Sequence, residues 1–292
     1  MDRRRKIGMG MVLLGASLWG GSSNSIEYLM THQHFSPEFV LLCRMVSTGL
    51  VFILYCLYKR MDLLAPIRQD GKLLTKFTVL GMYIMQVPFV RAVYYSNAAT
   101  ATVLQYTMPA ILLGMVLLQQ RRLPGRREVL AVGLAIIGTF LIATKGEGTN
   151  LAVSPESLGW GFLSAFGMAC YTIYASVLLK KYSCFLILGW GSLFNSLMLL
   201  IINQPSPAGI ILNGATLEAF MVMFVLGTLV AYSVYLQSTQ YIPASETGTL
   251  AAFEPLSAYF FSIVFMGNHV GLAEMLGALC IMTMVVVLAR RN

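Results

Sequence analysis

At 292 residues, 57% hydrophobic and 11% charged, with a mean hydropathy of +0.73, the chain lies outside the composition of water-soluble globules, where about a quarter of residues are charged. The formal charge of +8 would suggest nucleic acid in a soluble protein, but in a bilayer protein Lys and Arg mark the cytoplasmic side, so no nucleic-acid partner is implied. The five cysteines, Cys43, Cys56, Cys170, Cys184 and Cys280, are scattered through apolar runs with neither a disulfide framework nor a metal-ligand spacing; they read as packing residues, and no metal or cofactor is expected.

Apolar runs of the ~20 residues that a ~30 Å hydrocarbon core requires recur at 8–30, 37–58, 76–96, 98–119, 127–144, 157–179, 184–203, 217–240, 244–266 and 271–289. The first follows a basic opening, Arg3 to Lys6. It is too long for a secretory signal and lacks a convincing cleavage site, so it reads as a first span. The longest breaks, 63–75, 145–156 and 204–216, hold turn formers such as Pro66, Gly71, Gly146, Pro155, Pro205 and Pro207. The expected fold class is therefore all-α, a polytopic membrane protein of ten transmembrane helices, multi-pass in a cell membrane and most naturally a bacterial inner membrane.

Charge sets the sidedness. With the N-terminus inside, 17 of the twenty Lys and Arg residues fall on the cytoplasmic side, Lys145 alone falls outside, and Arg44 and Arg91 lie within spans. Both termini are then cytoplasmic, each half holds five spans, and the second half is inverted. Residues 1–146 and 147–292 are predicted as the two repeats. A shift of 146 lays 95–143 over 241–289 without a gap and pairs Tyr95/Tyr241, Ala98/Ala244, Leu104/Leu250, Pro109/Pro255, Gly125/Gly271, Glu128/Glu274, Leu130/Leu276 and Ala143/Ala289. So apolar a composition gives many chance matches, but mid-segment prolines in register carry more weight than the count. Inverted repeats are a usual construction of secondary transporters.

Leu18-Trp19-Gly20 in the first span, the Ala-rich stretch Asn97–Leu104 with Pro109 after it, Glu254-Pro255, and Gly271–Ala278 opening a last apolar helix follow one another in a ten-span frame. In that order and spacing the whole chain resembles the drug/metabolite transporter superfamily, of the ten-helix EamA type. The resemblance implies a 5+5 inverted repeat around a central cavity and alternating-access movement of small metabolites, often amino acids or related compounds, usually outward. The family usually carries Glu at the ends of the fourth and ninth spans, whereas this chain has Gln119-Gln120-Arg121-Arg122 and Gly267-Asn268-His269, so no acidic group acts at those points. Such kinship gives a mechanism class and not a ligand.

Ionisable residues inside spans are costly and normally face a partner or a water-filled cavity. Glu27, Arg44 and Arg91 share the outer third of the membrane, where Glu27 is expected to pair with the two arginines while the surplus positive charge grips a solute carboxylate, or where all three form a purely structural network. Glu254 sits at mid-span beside Pro255. Burial there disfavours the charged carboxylate, so the group can exchange a proton near neutrality, either as a coupling site or as a protonated, hydrogen-bonded strut. Polar and aromatic residues at helical spacing mark interior faces: Trp19, Ser23 and Glu27; Arg44, Ser47 and Thr48; Thr102, Gln105, Tyr106 and Pro109; Thr228, Tyr232, Tyr235 and Thr239. If these faces converge, the solute-binding residues are Trp19, Asn24, Arg91, Tyr94, Gln105, Tyr106, Tyr174, Tyr232 and Tyr235. Pro88, Pro109 and Pro255 are candidate gating bends, with a purely structural bend as the other reading of each. Trp160 and Trp190 read as interfacial anchors.

Three classes remain to be weighed. The first is a secondary transporter exporting an amino acid or related compound, with protons as the coupling ion. A second keeps the fold but imports a cationic or zwitterionic solute through an aromatic cage. A membrane-embedded transferase would want a His/Asp, paired-carboxylate or metal constellation, whereas His32, His34 and His269 all fall in outer loops. The expected partners are a small solute, the bilayer and protons, for a monomer or homodimer.

Overall fold

A computed structural model describes residues 3–146, 152–207, 209–238, 240–242, 247 and 250–289, and every element among them is helical. In chain order these are α1 Arg3–Thr31, α2 Pro37–Tyr58, α3 Ala65–Tyr95, α4 Ala98–Gln105, α5 Met108–Gln120, α6 Arg126–Thr144, α7 Pro155–Leu178, α8 Cys184–Asn203, α9 214–238, α10 Glu254–Met266 and α11 Leu272–Ala289. Among the described residues, seven stretches are long and apolar enough to cross a membrane: α2, α3, α4 and α5 taken together, α6, α7, α8 and α9. Glu246 and the opening of the expected ninth span lie largely outside the described residues.

Local chemistry accounts for the ends. Ser36, Asn97 and Ser154 accept the amide protons of Phe39, Thr100 and Ser157, capping α2, α4 and α7, while Pro37 and Pro155 sit where a first-turn N–H needs no partner. One boundary differs from expectation. Residues 65–75 are not a loop but the first turns of α3, because Arg68, Gln69 and Lys72 stay exposed while Pro66 and Leu74 are buried. The helices also carry π turns at Phe77–Tyr83, Leu199–Asn203 and Val222–Val230.

Several features recur at a shift of 146. The chain breaks before α5 and before α10, at Thr107 (φ −72, ψ −8) and Phe253 (φ −72, ψ −17), with Pro109 and Pro255 then opening the new helices. The Thr107 and Phe253 amides donate to Leu104 and Leu250, at 3.1 and 3.0 Å. Glu128 and Glu274 each reach back to the amide three residues earlier, Gly125 at 2.7 Å and Gly271 at 2.9 Å. Helices α6 and α11 pack closely, and Lys145 at the end of α6 lies 3.5 Å from Glu274 at the start of α11, so the two run antiparallel. A Cβ on either Gly138 or Gly277 would come within 2.7 Å of the other's carbonyl oxygen.

Helix α1 threads the interior. Gly15 and Gly20 leave room for the backbones of α9 and α10, respectively, and Ser22 donates to the Met223 carbonyl. The larger apolar core joins α1, α2, α3, α7, α8 and α9 around Leu41, Phe52, Phe77 and Met223; a second, around Ala135, Ile142, Ile281 and Met284, joins α4, α6, α10 and α11.

Candidate functional site

The cluster that combines charge, aromatic surface and burial forms where α1, α2, α4, α7, α9 and α10 meet. Because Gly15 lets α9 approach, with Ala231 O only 3.3 Å from where a Cβ would stand, Trp19 one turn later rests on α9. Its ring lies edge-on to Tyr232 at 5.3 Å and tilted against Tyr235 at 5.0 Å. Tyr171 of α7 lies within electrostatic range of both tyrosines. Arg44 of α2 lies within electrostatic range of Tyr232 and Glu254, and its buried Nε has no hydrogen-bond partner among the described residues.

Across this cluster stands Glu254, held by Tyr106, whose hydroxyl oxygen lies 2.9 Å from Glu254 Oε2 and 2.9 Å from the Ala251 carbonyl oxygen. The second contact follows from Pro255, which has no N–H to give to the carbonyl four residues earlier. A tyrosine carries one donor hydrogen, so two arrangements satisfy the pair. Tyr106 either donates to an ionised Glu254, or donates to Ala251 and accepts from a protonated Glu254. The hydrogen bonding thus accommodates both protonation states without moving a heavy atom.

Of the residues singled out from sequence, Trp19, Tyr106, Tyr232, Tyr235, Arg44 and Glu254 come together here. Others are placed differently. Glu27 pairs with neither arginine: its oxygens accept from the Ala98 amide at 2.8 Å and from Asn268 at 2.9 Å, because the start of α4 presents unpaired amides at the same depth. Arg91 lies 2.8 Å from Glu38 and 4.7 Å above the Trp160 ring, with 31% of its side chain exposed, so its charge is already matched near the end of α3. Trp160 accordingly anchors an arginine, and Trp190 donates to the Leu63 carbonyl at 2.7 Å.

Tyr94 is 57% exposed, with its ring edge-on to Tyr95 at 5.3 Å, off the cluster. Asn24 spends its amide group on the carbonyls of Gly20 and Ala258, both at 2.9 Å, bolting α1 to α10. Gln105 donates to Ser164, which donates to Met85, tying α4 to α7 and α3. Tyr174 packs on the apolar core, one turn from Tyr171, which takes the place expected for it. Of the prolines, Pro88 is buried inside α3, whereas Pro109 and Pro255 start helices.

Two contributors were missed. Tyr171 belongs to a helix whose clearest pattern is the small-residue row Gly161, Ala165, Ala169; it lies off that row, on the face of Ser164 and Gly167, so the row did not point to it. Glu38 stands at the very start of the run 37–58, and nothing in the sequence marked it as the partner of Arg91.

Comparison with known proteins agrees with this architecture. The EamA-like transporter family matches residues 6–144 and again residues 157–290. The chain is 33% identical over 291 residues to the "Uncharacterized inner membrane transporter YicL" of Salmonella typhimurium strain LT2, covering 99% of this chain and 97% of that protein. It is 22% identical over 291 residues to the "Uncharacterized transporter YetK" of Bacillus subtilis strain 168, covering 95% and 86%. A solved structure described only as "Crystal structure of protein" shares the fold, with a TM-score of 0.59 at 14% identity over 98% of each chain.

Proposed function

The chain belongs to the EamA-like transporter family, and from that premise we propose that it is a multi-pass inner-membrane antiporter that exports a zwitterionic metabolite of the amino-acid class in exchange for protons. The observation that carries the coupling is the Tyr106 hydroxyl shared between Glu254 and the Ala251 carbonyl. Arg44, with an unpartnered buried Nε, is the group for the solute carboxylate, and the faces of Trp19, Tyr232 and Tyr235 flank its ammonium. That ammonium and a proton compete for one carboxylate, Glu254. Mutual exclusion of this kind is what antiport requires: a proton arriving from outside displaces the solute, and its release inside readies the site again.

Alternating access then comes from two five-helix halves, 1–146 and 147–292, of opposite vertical sense. Support for the halves comes from the family's double match, the recurring breaks and caps at a shift of 146, and the antiparallel contact of α6 with α11.

The test is flux of labelled amino acids from oriented proteoliposomes under an imposed pH gradient. Wild type should extrude solute against its gradient when protons enter, and Glu254→Gln, which fixes the site in its neutral form, should lose both solute binding and the response to the pH gradient. A Glu254→Gln protein that follows the gradient as wild type does would overturn the coupling. The aromatic box favours a second reading, import of a cationic amine, and accumulation of such a solute inside the same vesicles would select it.

A further inference from the structure

We infer that the groove between α5 and α11 is a binding site for an anionic phospholipid, one acyl chain lying in the groove and the phosphate held by arginines at its cytoplasmic mouth. The groove encloses ≈ 830 Å³ over a floor of Leu112, Leu113, Val116, Val285 and Leu288, and its mouth carries Arg122, Arg126 and Arg127. None of the residues of α5 is buried within the protein, so this helix offers its apolar surface outward.

Its dimensions match one leaflet. From Pro109 to Gln120, at ~1.5 Å per residue, the lined stretch is about 16 Å long, half of a ~30 Å hydrocarbon core. An acyl chain entering from the membrane face therefore ends near the midplane break at Thr107.

The charge is at the end where an anionic headgroup would be. Arg121, Arg122, Arg126 and Arg127 belong to the cytoplasmic set, facing the leaflet richer in anionic lipid, and Glu128 is the one acidic residue among them. Glu128 holds Arg122 through both carboxylate oxygens, at 2.7 and 2.6 Å, and caps Gly125, so the rim is fixed in shape while the net charge stays positive. A zwitterionic headgroup gains little from such a rim. A second copy of the chain related by a two-fold axis would bring the same arginines against each other.

The experiment is native mass spectrometry and thermal unfolding of the full chain in detergent, with added phosphatidylglycerol, phosphatidylcholine of identical acyl chains, or inorganic phosphate. Phosphatidylglycerol should be retained roughly thirtyfold better than phosphatidylcholine, the effect of two surface arginines, and should raise the melting temperature more. The double variant Arg126→Ala/Arg127→Ala should lose that preference, as should Val116→Trp, which fills the floor and leaves the charge intact. Arg60→Ala/Arg68→Ala, at another cytoplasmic basic cluster, should keep it. Equal retention of the two lipids, a preference that survives in both groove variants, or a full melting shift with phosphate alone would each overturn the inference.

Discussion

Replacing Gly20 by Ala tests whether α1 is seated against the helix that carries Glu254. A Cβ at Gly20 would lie 2.6 Å from the Ala258 amide nitrogen and 3.0 Å from the Glu254 carbonyl oxygen, with Ser257 Oγ nearer still. The serine can rotate, but the backbone atoms cannot, so α1 and α10 must part by roughly 1 Å to restore ordinary contact. Overpacking of this kind costs about 1–3 kcal/mol. Separation also stretches the 2.9 Å bond from Asn24 to Ala258 and the 3.2 Å bond from Ser257 to Ala16, each worth about 1 kcal/mol. Against this stands a gain of up to about 1 kcal/mol in helix propensity.

The expected net loss is about 2 kcal/mol. Gly10→Ala, on the same helix with nothing within 4 Å of its added methyl, is the control and should only gain. Taking ~2–4 °C per kcal/mol, the two variants should melt roughly 6–12 °C apart in detergent, Gly20→Ala the lower. A Gly20→Ala protein melting with or above Gly10→Ala would show that the close approach of α1 to α10 is not real.

Arg91→Ala should leave transport intact and lower stability by about 1 kcal/mol, the worth of a partly exposed ion pair with a ring contact; loss of flux in folded protein would return Arg91 to the site. Gly138→Ala and Gly277→Ala should each destabilise, and the double variant should depart from the sum of the two, because each methyl strikes the other helix at the same crossing; additive melting shifts would contradict that contact. Between α7 and α8, the Tyr182 hydroxyl donates to Asp70 at 2.7 Å, and this bond pushes its pKa up from 10.0 to about 12. The neutral phenol is the bonded form, so its contribution is whole below about pH 10 and is lost as pH rises through 12. Asp70→Asn should bring the Tyr182 phenolate transition down, read as the ultraviolet difference against Tyr182→Phe; an unmoved transition would count against the pairing.

The helical class was legible because it depends on solvent. Apolar runs long enough to cross hydrocarbon, with backbone groups satisfied internally, leave little choice but helices. The starts of α2 and α4 matched the beginnings of the apolar runs at 37 and 98, and Ser36 and Asn97, like Ser154 before α7, cap these helices through amides three residues away. The register of Pro109 with Pro255 marked the two restarts for a similarly local reason: proline lacks an N–H wherever it stands. Residues 65–75 were misread because a charged stretch looks alike as a loop and as a wetted helix face, and burial of Leu74 by distant helices decides between them.

The site divides along the same line. Sequence determined that Arg44 and Glu254 had to find company, since ions in hydrocarbon are costly wherever they sit. It could not say which company. Glu27 met Asn268 and the Ala98 amide, Arg91 met Glu38, and Asn24 and Gln105 became fasteners, because each pairing spans dozens to hundreds of residues and is fixed by helix depth and rotation. Chemical need is written in the residue, whereas its satisfaction depends on which helix arrives opposite, and only the packed tertiary structure settles that.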